Sequence, residues 1–153
     1  MPDTPSTPSA PSPPDDEATA PLSPFGQMVG EEIVSATADE VVIRVPIEPH
    51  LHQPYGIVHG GVWCTIVETA ASTGAAVWLA TDGPGGNVVG VSNHTDFLRA
   101  VREGVVTARA TPIHRGRTQQ LWLVEVTDDA GRLAARGQVR LQNIPDAGRI
   151  GHR

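Results

Sequence analysis

The spacing of hydrophobic residues changes near the middle of the chain. From residue 88 onward, four segments alternate apolar and polar residues or are rich in β-branched ones, which is the pattern of half-buried strands. These segments are VVGVSNHTDFL, VVTARATPIH, QLWLVEVTD and LAARGQVRLQ. Turn-prone residues separate them, and the last separator, DDAG at residues 128–131, predicts a tight hairpin. Neighbouring hairpins predict an antiparallel sheet.

The first half of the chain contains one long helical segment. It is predicted to begin at His59-Gly60-Gly61 and to end near Thr81, where the sequence DGPGG stops it. Before it, EVVIRVPI at residues 40–47 predicts a strand, and we expect another strand near residues 28–37. Residues 48–58, with two prolines and two histidines, are expected to form a loop.

The long helix lacks a polar face. Only one of the 19 residues from Val62 to Ala80 is charged, so we expect the helix to be enclosed on most sides. Its Thr, Ser and Ala residues make it too polar for a membrane span. One enclosed helix with about six antiparallel strands predicts an α+β fold in which the sheet curls around a central helix. Such a sheet covers the helix only in part, which predicts dimerisation.

Composition sets the limits of the domain. A length of 153 residues predicts one domain, with a disordered Pro/Ser/Thr-rich tail at residues 1–24, a folded domain at 25–145 and a flexible tail at 146–153. The net charge is -6, and residues 25–153 hold 13 acids against 11 arginines, which excludes a broad basic surface for nucleic acid. The single Cys64 excludes a disulfide framework. Because the N-terminus also lacks a secretory signal pattern, we expect a cytoplasmic protein.

Glu68 is the first candidate for chemistry. An unpaired carboxylate in an apolar helix costs several kcal/mol, so it needs compensation. It either points outward or joins a hydrogen-bond network for structural reasons, or it serves a reaction. Ser72 lies four residues later on the same helix face, where its hydroxyl could orient the carboxylate or a water.

The start of the helix is the second candidate. Two consecutive glycines are poor helix residues, so Gly60 and Gly61 indicate either tight packing of a loop or close approach to free backbone N–H groups, which favour an anion or a developing oxyanion. Gly60 and Glu68 are eight residues apart, which is roughly 12 Å along one helix. One carbonyl cannot contact both in the same chain. If they cooperate, antiparallel helices of two subunits must form two equivalent interface sites in a two-fold dimer.

These residues resemble a known family. LHQPYGIVHGGVWCTIVETAAST, the later segment VVGVSNHTDFLRAVREGVVTARATPIHRGRT and VTDDAGRLAA are similar to hotdog-fold acyl-CoA thioesterases of the PaaI-like group, in the 4-hydroxybenzoyl-CoA and 1,4-dihydroxy-2-naphthoyl-CoA branch. The resemblance covers residues 30–143. It implies a hotdog fold, a tetramer made of two dimers, and no cofactor apart from the coenzyme A of the substrate.

The resemblance also implies roles for individual residues. Glu68 would be nucleophile or general base, and the Gly60 N–H would polarise the thioester carbonyl. Residues matching family positions beside the thioester or the hydrolytic water are Gln53, His59 and Ser72. Residues matching the region that holds the coenzyme A phosphates are Arg99, Gly116, Arg117 and Thr118, although arginines at turns are often only solvated. Tyr55, next to Pro54, is expected to border the acyl pocket.

The expected activity is hydrolysis of an aromatic acyl-CoA. A hotdog enoyl-CoA hydratase and a non-catalytic acyl-CoA-binding module remain as alternatives. His94 and His114 have no further ligands at metal-binding spacing, so no metal is expected. Asn93-His94-Thr95 matches a glycosylation sequon, which has no role in a cytoplasmic protein. We expect neither nucleic acid nor membrane as a partner.

Overall fold

One antiparallel sheet curls around a central helix in the computed structural model, which describes residues 22–145. The elements in chain order are α1 (Pro24–Val29), β1 (Glu32–Ala36), β2 (Val41–Pro46), a one-turn 3-10 helix (Pro49–Leu51), α2 (Gly60–Thr81), β3 (Asn87–Phe97), β4 (Val105–Arg115), β5 (Gln119–Thr127) and β6 (Leu133–Ile144). The sheet order is β1-β2-β4-β5-β6-β3, and every neighbouring pair is antiparallel. The predicted α+β architecture is confirmed.

The core lies between α2 and the concave face of the sheet. In β2, Val41, Ile43 and Val45 are buried while Arg44 is exposed, as period-two alternation requires. The buried residues of α2 are Trp63, Ile66, Val67, Ala70, Ala71, Gly74, Ala75 and Leu79. By length and composition α2 could cross a bilayer, but in this fold its buried residues pack against the sheet.

Small residues allow α2 to lie close to the sheet. A Cβ atom at Gly74 would stand 2.5 Å from the Trp122 ring of β5, closer than any real packing contact. The Trp122 indole N–H donates to Gln120 Oε1 at 3.0 Å, and Gln120 Nε2 donates to Asn143 Oδ1 at 2.9 Å. These buried side-chain polar groups therefore have hydrogen-bond partners.

The N-terminal part of the domain differs from the prediction. We expected a strand near residues 28–37, but residues 24–29 form α1, and β1 begins only at Glu32. Ser23 Oγ accepts a hydrogen bond from Gly26 N at 3.1 Å, and Gly30 ends the helix with φ 82°. The predicted tails at 1–24 and 146–153 lie outside the described residues, except for residues 22–24.

The remaining strand predictions are confirmed, and so is the hairpin at residues 128–131. Asp128 Oδ1 accepts the backbone N–H groups of Ala130 and Arg132, and Gly131 adopts φ 73°. The Arg132 side chain donates to Asp128 Oδ2 at 2.8 Å, and this hydrogen bond holds the pKa of Asp128 below its usual value.

Strand β3 is an unusually long edge. It has 11 residues, pairs only with β6 among the described strands, and is exposed along most of its length. Three large apolar side chains on it or just after it are about half exposed: Val91, Phe97 and Leu98. An exposed edge of this length and apolarity is a surface on which another strand can pair.

Candidate active site

Two clefts lie where α2 packs against β3. The first has a volume of about 250 Å³ and surrounds the N-terminus of α2, with polar groups from Gln53, Gly60 and Arg99. The second has a volume of about 300 Å³ and is lined by Phe25, Cys64, Thr65, Glu68, Thr69 and Asn93. The structure therefore places Gly60 and Glu68 in separate clefts beside the same strand.

The first cleft contains a free backbone donor. His59 is the N-cap of α2, and its Nδ1 accepts the Gly61 N–H at 2.8 Å, so the neutral ring carries its proton on Nε2. The Gly60 N–H has no acceptor among the described residues, as is usual for the first turn of a helix. A Cβ atom at Gly60 would lie 2.6 Å from the Phe97 ring, so glycine allows this close approach.

The amide of Gln53 is oriented by its own loop. Its Oε1 accepts the Tyr55 N–H at 2.6 Å, which leaves Nε2 as the end free to donate into the first cleft. Arg102 fixes this loop by donating to the carbonyl oxygens of Tyr55 and Gly56 at 3.1 and 3.0 Å. The Tyr55 side chain is 82% exposed and lines neither cleft, so within one chain it does not border the pocket in which we expected it.

The second cleft contains the half-buried Glu68. Its Oε1 accepts a long hydrogen bond from Ser72 Oγ at 3.4 Å, and its Oε2 accepts one from Asn93 Nδ2 at 2.9 Å. None of the ion pairs among residues 22–145 involves Glu68. Neutral hydrogen-bond donors therefore stabilise this carboxylate.

The backbone of β3 is shaped around Glu68. A Cβ atom at Gly90 would collide with Glu68 Oε1, so only glycine leaves room for the carboxylate. The β3–β6 register shifts between Gly90 and Ser92, which is a β-bulge. The extra residue reverses the alternation of side chains after Gly90, and Asn93 and Thr95 then share the face that is turned toward α2.

The residues predicted to bind phosphates are far apart in one chain. Arg99 follows β3 and its N–H donates to Ala134 O, at the start of β6. The turn at residues 116–118 is held by Asn143, whose Nδ2 donates to Gly116 O and Arg117 O at the end of β6. Ala134 and Asn143 are nine residues apart along β6, which is roughly 30 Å. Within one chain these groups therefore do not lie close together.

Two groups near the second cleft were not predicted from the sequence. One is the Asn93–Thr95 pair, which was noted only as a sequon. The other is Glu31, which is 3% exposed and whose two carboxyl oxygens have no partner in hydrogen-bond geometry among the described residues. Burial raises the pKa of Glu31 above its ordinary value of 4.5, and the neighbouring Thr69 hydroxyl only partly opposes this rise.

Residues 22–145 contain no group of three His, Cys, Asp or Glu that could hold a metal ion.

Comparison with known proteins identifies the family. Residues 55–135 match the model of the thioesterase superfamily. The chain belongs to this superfamily. This range contains Gly60 of the first cleft and Glu68 of the second. The sheet that curls around α2 is the hotdog fold seen in the solved structures of this family. The protein is thus a hotdog-fold thioester hydrolase.

Individual relatives support this family assignment. The thioesterase is 47% identical over 131 residues to Rv1847 of Mycobacterium tuberculosis, covering 84% of this chain and 94% of that protein. The solved structure of Rv1847/MT1895 covers 80% of this chain and 97% of its own, with a TM-score of 0.78. A 1,4-dihydroxy-2-naphthoyl-CoA hydrolase of Listeria monocytogenes is 36% identical over 107 residues, 70% of this chain and 85% of that protein. Thioesterase HI1161 of Haemophilus influenzae is 31% identical, covers 84% of this chain and 87% of its own, and has a TM-score of 0.75.

Proposed function

We propose that this thioesterase hydrolyses aromatic acyl-CoA thioesters to the free acid and coenzyme A, at two equivalent sites between the subunits of a dimer. The observation that supports this most directly is the pair of clefts. A free N–H donor at Gly60 and a carboxylate at Glu68 are the two halves of an acyl-transfer site. They are roughly 12 Å apart along α2, so one substrate carbonyl cannot use both within one chain.

The exposed edge of β3 supplies a way to join the halves. Gly60 lies beside Phe97 at the end of β3, and Glu68 lies beside Gly90 nearer its beginning. Antiparallel pairing of two β3 edges would place the Phe97 end of one strand alongside the Gly90 region of the other. The first cleft of one subunit would then face the second cleft of its partner. A two-fold axis makes both resulting sites equivalent.

In the proposed site the thioester carbonyl accepts hydrogen bonds from the Gly60 N–H and from Gln53 Nε2. Both donors are oriented by local hydrogen bonds before substrate binds, so they need no rearrangement as negative charge develops on the oxygen. His59 contributes as the N-cap of α2, because its side chain accepts the Gly61 N–H and so fixes the first turn of the helix. A donor of this kind contributes about 3 kcal/mol to stabilising the transition state.

Glu68 of the partner subunit performs the attack. It either bonds to the thioester carbon as a nucleophile or deprotonates a water that attacks that carbon. The Ser72 hydroxyl is only loosely held by Glu68 at 3.4 Å, so it can also bind a water beside the carboxylate. Coenzyme A leaves as the thiol after the tetrahedral intermediate collapses and the sulfur takes up a proton. In the nucleophilic route a water then cleaves the anhydride between Glu68 and the acyl group, which releases the acid and restores the carboxylate.

The two ends of the substrate fit different surfaces. Phe25 of α1 contributes an aromatic wall to the Glu68 cleft, which suits a planar aromatic acyl group. A relative named for a naphthoyl-CoA substrate supports the same class. Antiparallel pairing of β3 would also bring Arg99 toward the 116–118 turn of the partner subunit, so that arginines from two chains meet the coenzyme A phosphates.

Two further properties are part of the proposal. We place the enzyme in the cytoplasm, where its single Cys64 stays reduced. We also propose that two such dimers associate into a tetramer, as the family resemblance implies. Neither property is needed for the reaction at the β3 interface.

The experiment that tests the function is an acyl-CoA panel assayed with wild type and Glu68→Gln. The panel contains 4-hydroxybenzoyl-, 1,4-dihydroxy-2-naphthoyl-, phenylacetyl- and aliphatic acyl-CoA. We expect wild type to prefer the aryl thioesters and Glu68→Gln to lose about 10²–10⁴-fold in kcat, because glutamine is neither nucleophile nor base. Binding of the acyl-CoA should persist.

The matched control is Glu103→Gln, which neutralises an exposed acid in the loop before β4 and should leave kcat unchanged. Normal turnover by Glu68→Gln would contradict the proposed mechanism. A preference for aliphatic thioesters would contradict the aromatic substrate class alone.

A further inference from the structure

The carboxylate of Glu68 is held mainly by Asn93. The Asn93 Nδ2 group donates to Glu68 Oε2 at 2.9 Å and to Cys64 O at 3.0 Å. Cys64 and Glu68 are one helical turn apart, so a single amide group ties the carboxylate to the backbone of its own helix. This double attachment restricts the rotamer of Glu68 more than the long bond from Ser72 does.

Thr95 in turn fixes the orientation of Asn93. Its hydroxyl donates to Asn93 Oδ1 at 2.6 Å, so both ends of the amide have partners. If the amide were rotated by 180°, Oδ1 would face Glu68 Oε2 and Cys64 O, which are both acceptors. Two hydrogen bonds would then be replaced by two repulsive contacts. The network therefore allows one amide orientation, the one that donates to Glu68.

The backbone of β3 makes this network possible. The bulge after Gly90 brings Asn93 and Thr95 onto the face turned toward α2, and Gly90 itself leaves the space into which Glu68 Oε1 fits. Asn93 is exposed in the single chain, and Thr95 is half-buried. Pairing of β3 edges would shield these hydrogen bonds from water, which would strengthen them.

We propose that Asn93, oriented by Thr95, is a positioning residue that holds the Glu68 carboxylate at the angle needed for attack. This inference rests on the proposed function, because it assumes that Glu68 is the attacking group. Asn93 lines the Glu68 cleft, but in this scheme neither Asn93 nor Thr95 bonds to the reacting thioester group. Their contribution is to kcat, through the geometry and charge stabilisation of Glu68.

The first test compares two variants at the end of the network farther from Glu68. Thr95→Val keeps the shape of the side chain and removes the hydroxyl, whereas Thr95→Ser keeps the hydroxyl. We expect Thr95→Val to lower kcat about 10-fold with KM changed less than about twofold, and Thr95→Ser to restore most of the rate. Equal losses in both variants, or no loss in Thr95→Val, would overturn the proposal.

The second test asks whether Asn93 acts through Glu68. Asn93→Ala should lower kcat about 10- to 100-fold in wild type, because small displacements of a reacting group are costly. In a Glu68→Gln background the same change should have almost no further effect, since there is no carboxylate left to position. Losses that multiply, or a rise in KM with unchanged kcat, would show that Asn93 has a different role. Melting temperatures identify any variant that fails to fold.

The wild-type measurement separates the two proposals. If wild type hydrolyses no acyl-CoA of the panel, the proposed function fails and this inference falls with it. If wild type is active while Thr95→Val and Asn93→Ala keep its kcat, the function stands and only the positioning role is excluded.

Discussion

At the scale of single residues, two carboxyl groups near Thr69 have opposite surroundings. Glu68 is half-buried and accepts hydrogen bonds from Asn93 and Ser72. Glu31 is almost fully buried, and burial raises its pKa because the neighbouring Thr69 hydroxyl opposes this effect only in part. Burial with few hydrogen-bond donors disfavours the charged form of a carboxyl group, as at Glu31.

Because of the buried Glu31, we expect the stability of the folded protein to depend on pH. Its pKa in the folded protein lies above the ordinary value of 4.5, so its contribution to stability is complete below about pH 4.5 and is lost as the pH rises through the folded value. Glu31→Gln stays neutral at every pH. Its melting temperature should match wild type near pH 4, rise above it as the pH passes through the folded pKa of Glu31, and stay above it by a constant margin at higher pH. The control Glu103→Gln should show no such trend. If the melting temperatures of Glu31→Gln and wild type changed in parallel with pH, the pKa of Glu31 would not be raised in the folded protein.

Sequence reasoning located Glu68 and Gly60 because both stand out within one helix. A charge in an apolar run and glycines at a helix start are local signals, readable without tertiary structure. Asn93 could not be found in this way. Strict alternation along β3 puts Asn93 on the face opposite Gly90, and only the bulge turns it toward Glu68. Glu31 was missed because its burial depends on α1.

At the scale of elements, regular alternation made β2 to β6 predictable, whereas α1 was not. A six-residue helix is less than two turns long, so its apolar spacing cannot be distinguished from that of a strand. What the sequence also could not show is how closely the elements approach. The contact of α2 with β3 at Gly90 and with β5 at Gly74 depends on the curl of the whole sheet.

These two glycines allow stability and activity to be separated. Gly90→Ala should lower kcat about 10- to 100-fold, because its Cβ must displace the Glu68 carboxylate. Gly74→Ala should instead cost about 1–3 kcal/mol of unfolding free energy through its clash with Trp122, while the folded variant keeps its kcat. Denaturant unfolding and kcat measured on both variants check this. If Gly90→Ala kept full activity, the close approach of β3 would have no role in placing Glu68.

At the scale of the whole molecule, one chain holds only half of each proposed site. The Gly60 and Glu68 clefts are separated along α2, and Arg99 and the 116–118 turn lie at opposite ends of β6. A two-fold axis across β3 would bring Gly60 of one chain near Glu68 of the other, and Arg99 of one chain toward the 116–118 turn of the other. Because one operation explains two independent mismatches, pairing of β3 edges is favoured over a contact elsewhere on the surface.

Mixing two inactive variants tests this arrangement. Gly60→Pro removes the donor N–H at the first helical position, where the backbone suits proline because His59 has the extended ψ of 138°. The added ring must displace the Phe97 side chain, which is about half exposed and can move outward. Gly60→Pro and Glu68→Gln homodimers should each lose about 10²-fold or more in kcat. In a dimer with one chain of each kind, one interface site carries both defects, and the other combines an intact Gly60 with an intact Glu68.

Random reassociation makes half of the dimers mixed, and half of their sites are intact, so refolding the two variants together should recover about a quarter of wild-type activity. Refolding each variant alone provides the control, and size-exclusion chromatography confirms that dimers have formed. If each site lay within one chain, every chain in the mixture would still lack one of its two groups. A mixture as inactive as its components would therefore contradict a site shared between two chains.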